Sequence, residues 1–324
     1  MNQEKVSGLE KTINQDYSNI AGIVVLKKDK TLYEKYFNGY TAASPIHVCS
    51  VTKSIISILV GIAIDKGYIK SVDQKVLDFF PNYTVKRGEK TIQTITLKHL
   101  LTMTAPYKFR SAPYKKFFTS EDWVKTSLDL LGGKKPVGEF RYMEMIGPDI
   151  LSGILVKATG RSVLDFAQEY VFSPLKITVQ SNIILDTAEE HVAFIKTNHA
   201  SGWVTDDKGT NTAGWGLTLT AMDMAKIGKL YLDGGKWEGR QIVSTGWISE
   251  STTEHSRWKA ENLPYGYLWW TGIGNGYAAM GSSGNVIYVN PSKKMALAIA
   301  SLFKPTAKDI IELIKEHIEP IFEN

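Results

Sequence analysis

The sequence predicts an α/β protein of the α+β kind: an antiparallel sheet flanked by helices, with an inserted, mostly helical lobe. Three observations carry this prediction. A β-rich pair of segments lies near the start, a run of short β segments closes the chain, and the stretch between them has apolar residues at helical spacing.

Residues 22–28 and 31–39 flank the charged turn at Asp29 and are rich in β-branched and aromatic side chains, so they read as a hairpin with which the chain opens. Residues 50–66 carry apolar side chains on almost every face and stop at Gly67, which marks a helix inside the core. Short helices are expected at 96–103, 120–131 and 150–159, the last ended by Gly160. A longer one spans 220–232, with Thr220 as N-cap and Asp223 three residues on. The segments 265–271, 277–280, 285–290 and 295–302 are parted by Gly-rich or Pro-Ser-Lys-Lys turns and read as an antiparallel meander. An amphipathic helix over 306–322 closes the chain. This order puts the first hairpin beside the last three strands, covered by the first and last helices. The expected division is a sheet-and-helix lobe from 1–70 and 201–324, a helical lobe from 71–200, and an active site in the cleft between them.

Composition narrows the function. The 324 residues are 43% hydrophobic and 22% charged with a net charge of +5, and the basic residues are scattered rather than striped, so no nucleic-acid partner is expected. The single cysteine, Cys49, excludes internal disulfides and any cysteine-rich metal cluster. The six histidines, His47, His99, His191, His199, His255 and His317, show no metal spacing, so neither metal nor cofactor is expected. The apolar run 55–64 is broken by Ser57 and closed by Asp65, short of the roughly 20 residues of a membrane span. The N-terminus lacks signal-peptide character. A cytoplasmic protein with no membrane contact is the expectation.

Chemistry concentrates at the start of the buried helix, where Ser50 and Lys53 share one face, i and i+3. Burial lowers a lysine's pKa, so Lys53 beside a serine hydroxyl can help deprotonate it, while the amides of the helix start favour developing negative charge. On its own this spacing also fits a lysine whose stem lies on the core and whose ammonium reaches water.

Residues 48–72, VCSVTKSIISILVGIAIDKGYIKSV, resemble the nucleophile helix of the serine β-lactamase-related family of class C β-lactamases, D-Ala-D-Ala peptidases, esterases and amide hydrolases. The segments 95–107, 140–160, 214–244, 265–270 and 278–301 follow in the family's order and spacing, so the resemblance covers nearly the whole chain. It implies a β-lactamase/transpeptidase-like fold and an acyl-enzyme on Ser50. Lys53 resembles the assisting lysine and Tyr142 the tyrosine of the Tyr-x-Asn element, the three sharing one mobile proton. The family's Lys-Thr-Gly element falls on Ser282, Ser283 and Gly284. The resemblance then implies an oxyanion hole from the N–H groups of Ser50 and Asn285.

Two departures bear on substrate. Position 282 carries no cation, and Glu144 stands where the family commonly has Asn, which weighs against penicillins and peptidyl-D-alanine. Glu144, Tyr107, Ser282, Ser283 and Gly284 are the expected substrate contacts, and Trp215, Trp269 and Trp270 are further aromatic candidates. Cys49 reads as a small buried hydrophobe. The expected function is hydrolysis of a small ester or amide. Its rivals are a penicillin-recognising β-lactamase or D-Ala-D-Ala carboxypeptidase, acting on a lactam or peptide, and a non-catalytic binding or sensor homologue. The oligomeric state is open.

Overall fold

A computed structural model describes residues 3–196 and 201–322; His199 lies outside the described residues. The chain opens not on sheet but on a helix, α1 (Gln3–Asp16). Only Leu9 and Ile13 of α1 are buried, a stripe too narrow to stand out from the polar residues around it.

Strands β1 (Ile20–Lys27) and β2 (Lys30–Tyr36) form the expected hairpin. After the core helix α2 (Val51–Asp65) the chain runs through short helices, among them α3 (Asp149–Thr159), to α4 (Ala221–Leu232). Thr220 caps α4 as expected: its Oγ1 accepts the Asp223 N–H at 3.0 Å, and the Asp223 carboxylate accepts the Thr220 N–H at 3.2 Å.

Beyond a short separate hairpin (Lys236–Trp237 and Arg240–Gln241) come β3 (Ser256–Trp258), β4 (Leu263–Tyr265), β5 (Trp270–Ile273), β6 (Gly276–Gly281), β7 (Asn285–Asn290) and β8 (Met295–Ser301). Strands β3 to β8 join the β1–β2 hairpin in one antiparallel sheet of eight strands, ordered β2-β1-β8-β7-β6-β5-β4-β3. The first hairpin therefore docks on the last strand, with Ile23 opposite Ile299 and Val25 opposite Leu297.

The strand expected over 265–271 is broken in two. Leu268 takes a left-handed conformation (φ 60°) and donates its N–H to the Leu101 carbonyl, so a contact made by the helical region turns the chain between β4 and β5. The last helix begins at Ile310 behind the Asp309 cap, and Leu313–Ile318 is wound as a π-helix.

Alternation along β7 assigns the two faces of the sheet. Gly228 of α4 packs on Ile287 and Val289, whereas the Tyr288 hydroxyl between them bonds Glu319 of the C-terminal helix. Helix α4 therefore covers one face and the C-terminal helix the other. That is why β7 and β8 are buried throughout, with apolar residues on both faces between their polar ends. Ala279 pairs with Ile287 on the α4 face, and Gly281, two residues along β6, presses on Val48 and Cys49 just before α2. The end of β6 and the start of α2 thus meet on that face.

Helix α2 is buried from Val51 to Ala63, and at Gly61 the Trp247 indole lies where a Cβ would be. Gly61→Ala should therefore force the helix and the indole apart. We expect a loss of about 1–3 kcal/mol, read as a lower melting temperature with an unchanged far-UV spectrum.

Candidate active site

The site forms where α2 begins. Cys49, immediately before it, holds a left-handed conformation (φ 52°) that cysteine rarely adopts, pinned by the Thr52 hydroxyl donating to the Cys49 carbonyl at 2.7 Å. This turn delivers Ser50 to the N-cap position. A serine there ordinarily caps the helix with its side chain, but the Ser50 hydroxyl makes no such bond and instead accepts one from Lys53 Nζ at 2.8 Å.

Lys53 is 1% exposed, and its ammonium also donates to the Glu144 carbonyl at 2.6 Å and the Gly214 carbonyl at 2.9 Å. All three donors of an ammonium are thereby matched with oxygens. Burial lowers the Lys53 pKa to about 7, while the negative charges of Asp149 and Glu144 work against that fall. The lysine is set between its two protonation states at neutral pH.

Tyr142 stands next to this pair, with Lys53 Nζ 5.0 Å from its ring centroid and the Trp270 ring tilted against it at 5.4 Å. Burial pushes its phenol up to about 12, against the pull of its interaction with the Ser50 hydroxyl. Tyr142 is thus a proton donor at neutral pH, and of the two groups beside Ser50 it is Lys53 that can accept.

The carbonyls that receive Lys53 belong to two segments in direct backbone contact. Any Cβ at Gly214 would lie 2.8 Å from the Glu144 carbonyl oxygen, so glycine alone lets the chains approach this closely. Gly214 is held in turn by Asp149 at the start of α3, whose Oδ1 accepts the Ala213 N–H at 2.6 Å. Asp149 is not among the residues that the sequence singles out. Its signal would have been an ionisable residue inside an otherwise apolar helical segment.

Other expected site residues fall as follows. The Glu144 side chain is exposed at the rim, and its Oε2 accepts the Tyr114 hydroxyl at 2.9 Å, so its backbone lines the site and its charge stands outside. Ser282, Ser283 and Gly284 form the turn between β6 and β7, with Ser282 exposed and Ser283 half-buried. Asn285 is 1% exposed and sits behind that turn. Its amide donates to the Ser282 and Ser301 carbonyls, and its Oδ1 accepts the Ser301 N–H. It locks the hairpin, and the hairpin edge that touches the residues before α2 is Gly281–Ser282, with the Ser282 backbone facing the Cys49 thiol.

Tyr107 is buried beneath Gly147, where it supports the 142–148 segment from below rather than lining open space. Trp269 is in the core, and Trp215 joins Phe118, Trp123 and Phe194 in an aromatic cluster. Cys49 is buried, and burial pushes its thiol up to about 12, so it stays protonated.

Three of the described histidines are engaged away from Ser50 and Lys53. Burial lowers His47 to about 3, and its Nε2 accepts the Gly216 N–H; His99 Nδ1 accepts the Thr96 N–H, and His255 meets the Glu250 carbonyl. Among the described residues no three His, Cys, Asp or Glu side chains come together to hold a metal, and no helix is long and apolar enough to cross a membrane.

Comparison with known proteins identifies the family and the fold. The Beta-lactamase family model matches residues 9–316. The chain belongs to that family. A 6-aminohexanoate-dimer hydrolase of Paenarthrobacter ureafaciens is 24% identical over 246 residues, 72% of this chain but only 57% of the relative, so the match spans little more than half of that protein. A family VIII carboxylesterase superposes with a TM-score of 0.72 at 15% identity, covering 97% of this chain and 96% of its own. The octameric penicillin-binding protein homologue from Pyrococcus abyssi superposes with a TM-score of 0.71 at 21% identity, covering 97% and 76%. At these identities the structural matches establish the shared fold.

The Lys53 environment leads to a pH test. Unfolded, the lysine keeps its proton up to its ordinary value near 10.5, whereas folded it loses it near 7. Between those pH values the unfolded state binds more protons, so this group makes the protein more stable as pH rises. Relative to Lys53→Met, the wild type should gain stability from pH 7 to pH 10 by up to about 1.4 kcal/mol per pH unit. Paired denaturation curves across that range would measure it. A difference that stays flat with pH would contradict a folded lysine with a lowered pKa.

Proposed function

We propose that this chain is a serine hydrolase that forms an acyl-enzyme on Ser50 and acts on small esters or amides. The observation that carries this reading is the 2.8 Å bond from Lys53 Nζ to a serine hydroxyl free of capping duty, in surroundings that bring the lysine's pKa to about 7.

In the proposed cycle, neutral Lys53 takes the Ser50 proton as Oγ attacks the substrate carbonyl. The oxyanion lies between the Ser50 N–H at the start of α2 and the Ser282 N–H at the hairpin edge. Tyr142 then gives its phenol proton to the departing alcohol or amine as the bond to the acyl carbon breaks, and Lys53 returns a proton to Tyr142. Water enters, gives its proton to the same pair, and releases the acid with Ser50 restored. The relatives named as a 6-aminohexanoate-dimer hydrolase and a carboxylesterase support amide and ester chemistry on this fold.

A fluorophosphonate probe should label wild type once, on Ser50, and Ser50→Ala should lose on the order of 10⁴ or more in turnover while remaining folded. An unlabelled wild type would favour a binding or sensor homologue. Labelling that survives Ser50→Ala and disappears in Cys49→Ala would move the nucleophile.

Charge points to substrates without a carboxylate beside the hairpin turn. Lys304 meets Ser283 only through its backbone and sends its ammonium to Ser18, so it does not supply the cation that position 282 lacks. Glu144 adds a negative charge at the rim. Short-chain neutral esters should therefore exceed cephalosporins in kcat/KM. Glu144→Gln should raise the cephalosporin value roughly three- to tenfold, an exposed charge being partly screened, and leave the ester value nearly unchanged. Cephalosporins turned over faster than every neutral ester would refute this charge argument.

A further inference from the structure

The cycle proposed above leaves one buried ionisable group beside the site unused. Asp149 lies in the first turn of α3, where a carboxylate usually bonds its own helix's amides in contact with water. Here it is 2% exposed and reaches out of the helix: Oδ1 accepts the Ala213 N–H at 2.6 Å, the Gly214 N–H also faces the carboxylate, and Oδ2 has no hydrogen-bond partner. The carbonyl of that same Gly214 takes the Lys53 ammonium at 2.9 Å. One glycine therefore links the carboxylate to the lysine, its N–H side held by one and its C=O side used by the other.

We propose that Asp149 is a positioning residue for Lys53: it grips the 213–214 backbone that presents the Gly214 carbonyl, and its buried negative charge counterbalances the ammonium. The inference rests on the reading of Ser50 and Lys53 as the reacting pair. An amide side chain would make the Ala213 bond with less desolvation, so that bond alone does not account for a buried carboxylate with an unpaired oxygen. The charge acts on the lysine, since Asp149 comes before Glu144 and Cys49 among the groups holding the Lys53 pKa up. Asp149 itself is raised to about 7 by burial and by Asp206, with Lys53 and the two backbone N–H groups opposing. Tyr142 feels Glu144 and Cys49. Of the two carboxylates near Lys53, Asp149 is sheltered from salt and Glu144 is exposed to it.

The test is the pH dependence of fluorophosphonate labelling at Ser50. In wild type the rate should rise through a limb near pH 7 as Lys53 loses its proton. Asp149→Asn keeps an acceptor for Ala213 and removes the charge, so the limb should move to lower pH by about one unit with the melting temperature little changed. Asp149→Leu releases the Gly214 carbonyl as well and should slow labelling at least about tenfold at every pH. An Asn profile that superimposes on wild type would overturn the role of the charge, and wild-type labelling rates in the Leu variant would overturn the role in positioning.

The wild type supplies a check independent of either variant's folding. Its limb should hold still between about 0.05 and 0.5 M salt, and a limb that moves with salt would assign the coupling to exposed Glu144 and reject the proposal. A wild type that takes no label on Ser50 would overturn the hydrolase reading itself, a result distinct from labelled protein with unshifted limbs.

Discussion

A lysine with almost no access to water is the constraint on which the rest of the site depends. Desolvation alone would make Lys53 intolerable in the first turn of a helix buried on nearly every face. What makes it tolerable is three oxygens, one from each of three separate parts of the chain: Ser50, Glu144 and Gly214. The same burial brings the ammonium close to neutrality, so the property that is costly for folding is the one that is useful for proton transfer.

Meeting that constraint requires close approaches of backbone, and these explain where glycine stands. Gly214 lets the two acceptor carbonyls converge, Gly281 lets the end of β6 touch the residues before α2, and Gly61 seats α2 against Trp247. The sheet sets the frame. Helices α2 and α4 share one face of it, and the β6–β7 turn, locked by Asn285, stands beside the start of α2 rather than apart from it. Asp149 and Asn285 are alike in this respect: each is a buried polar side chain spent on holding backbone, one beneath the lysine and one behind the turn.

Charge is distributed unevenly around this dry centre. The rim carries Glu144, the hairpin turn carries none, and the nearby Lys304 points its ammonium at Ser18. Membership of the Beta-lactamase family and a fold shared with a carboxylesterase and a penicillin-binding protein homologue leave the acyl group open, since one framework serves several chemistries. On the proposed reading the choice is made by these few charges at the edge, while the buried residues supply the acyl transfer.

The sequence by itself determined the core helix, the capped helix α4, the strands of the meander and the pairing of Ser50 with Lys53, because these rest on short-range spacing. An i, i+3 relation on a helix and a Thr-x-x-Asp cap are local geometry, and four apolar segments parted by turn residues are strands wherever they pack. It missed α1, whose apolar stripe is two residues wide, and it merged β4 with β5, because the bend between them is set by Leu101 from a distant part of the chain. Only the tertiary structure decided which atoms surround the lysine. The Glu144 and Gly214 carbonyls are main-chain groups that every residue possesses, so no side-chain pattern marks them, and 91 and 161 positions separate them from Lys53. It also decided that Glu144 contributes its backbone to the site and its charge to the rim, that Asn285 lies behind the turn and Tyr107 beneath the loop, and that Asp149 lies under the site. Whether a polar side chain faces a cleft or braces the chain behind it depends on the packing of segments remote in sequence, and spacing along one segment carries no record of that packing.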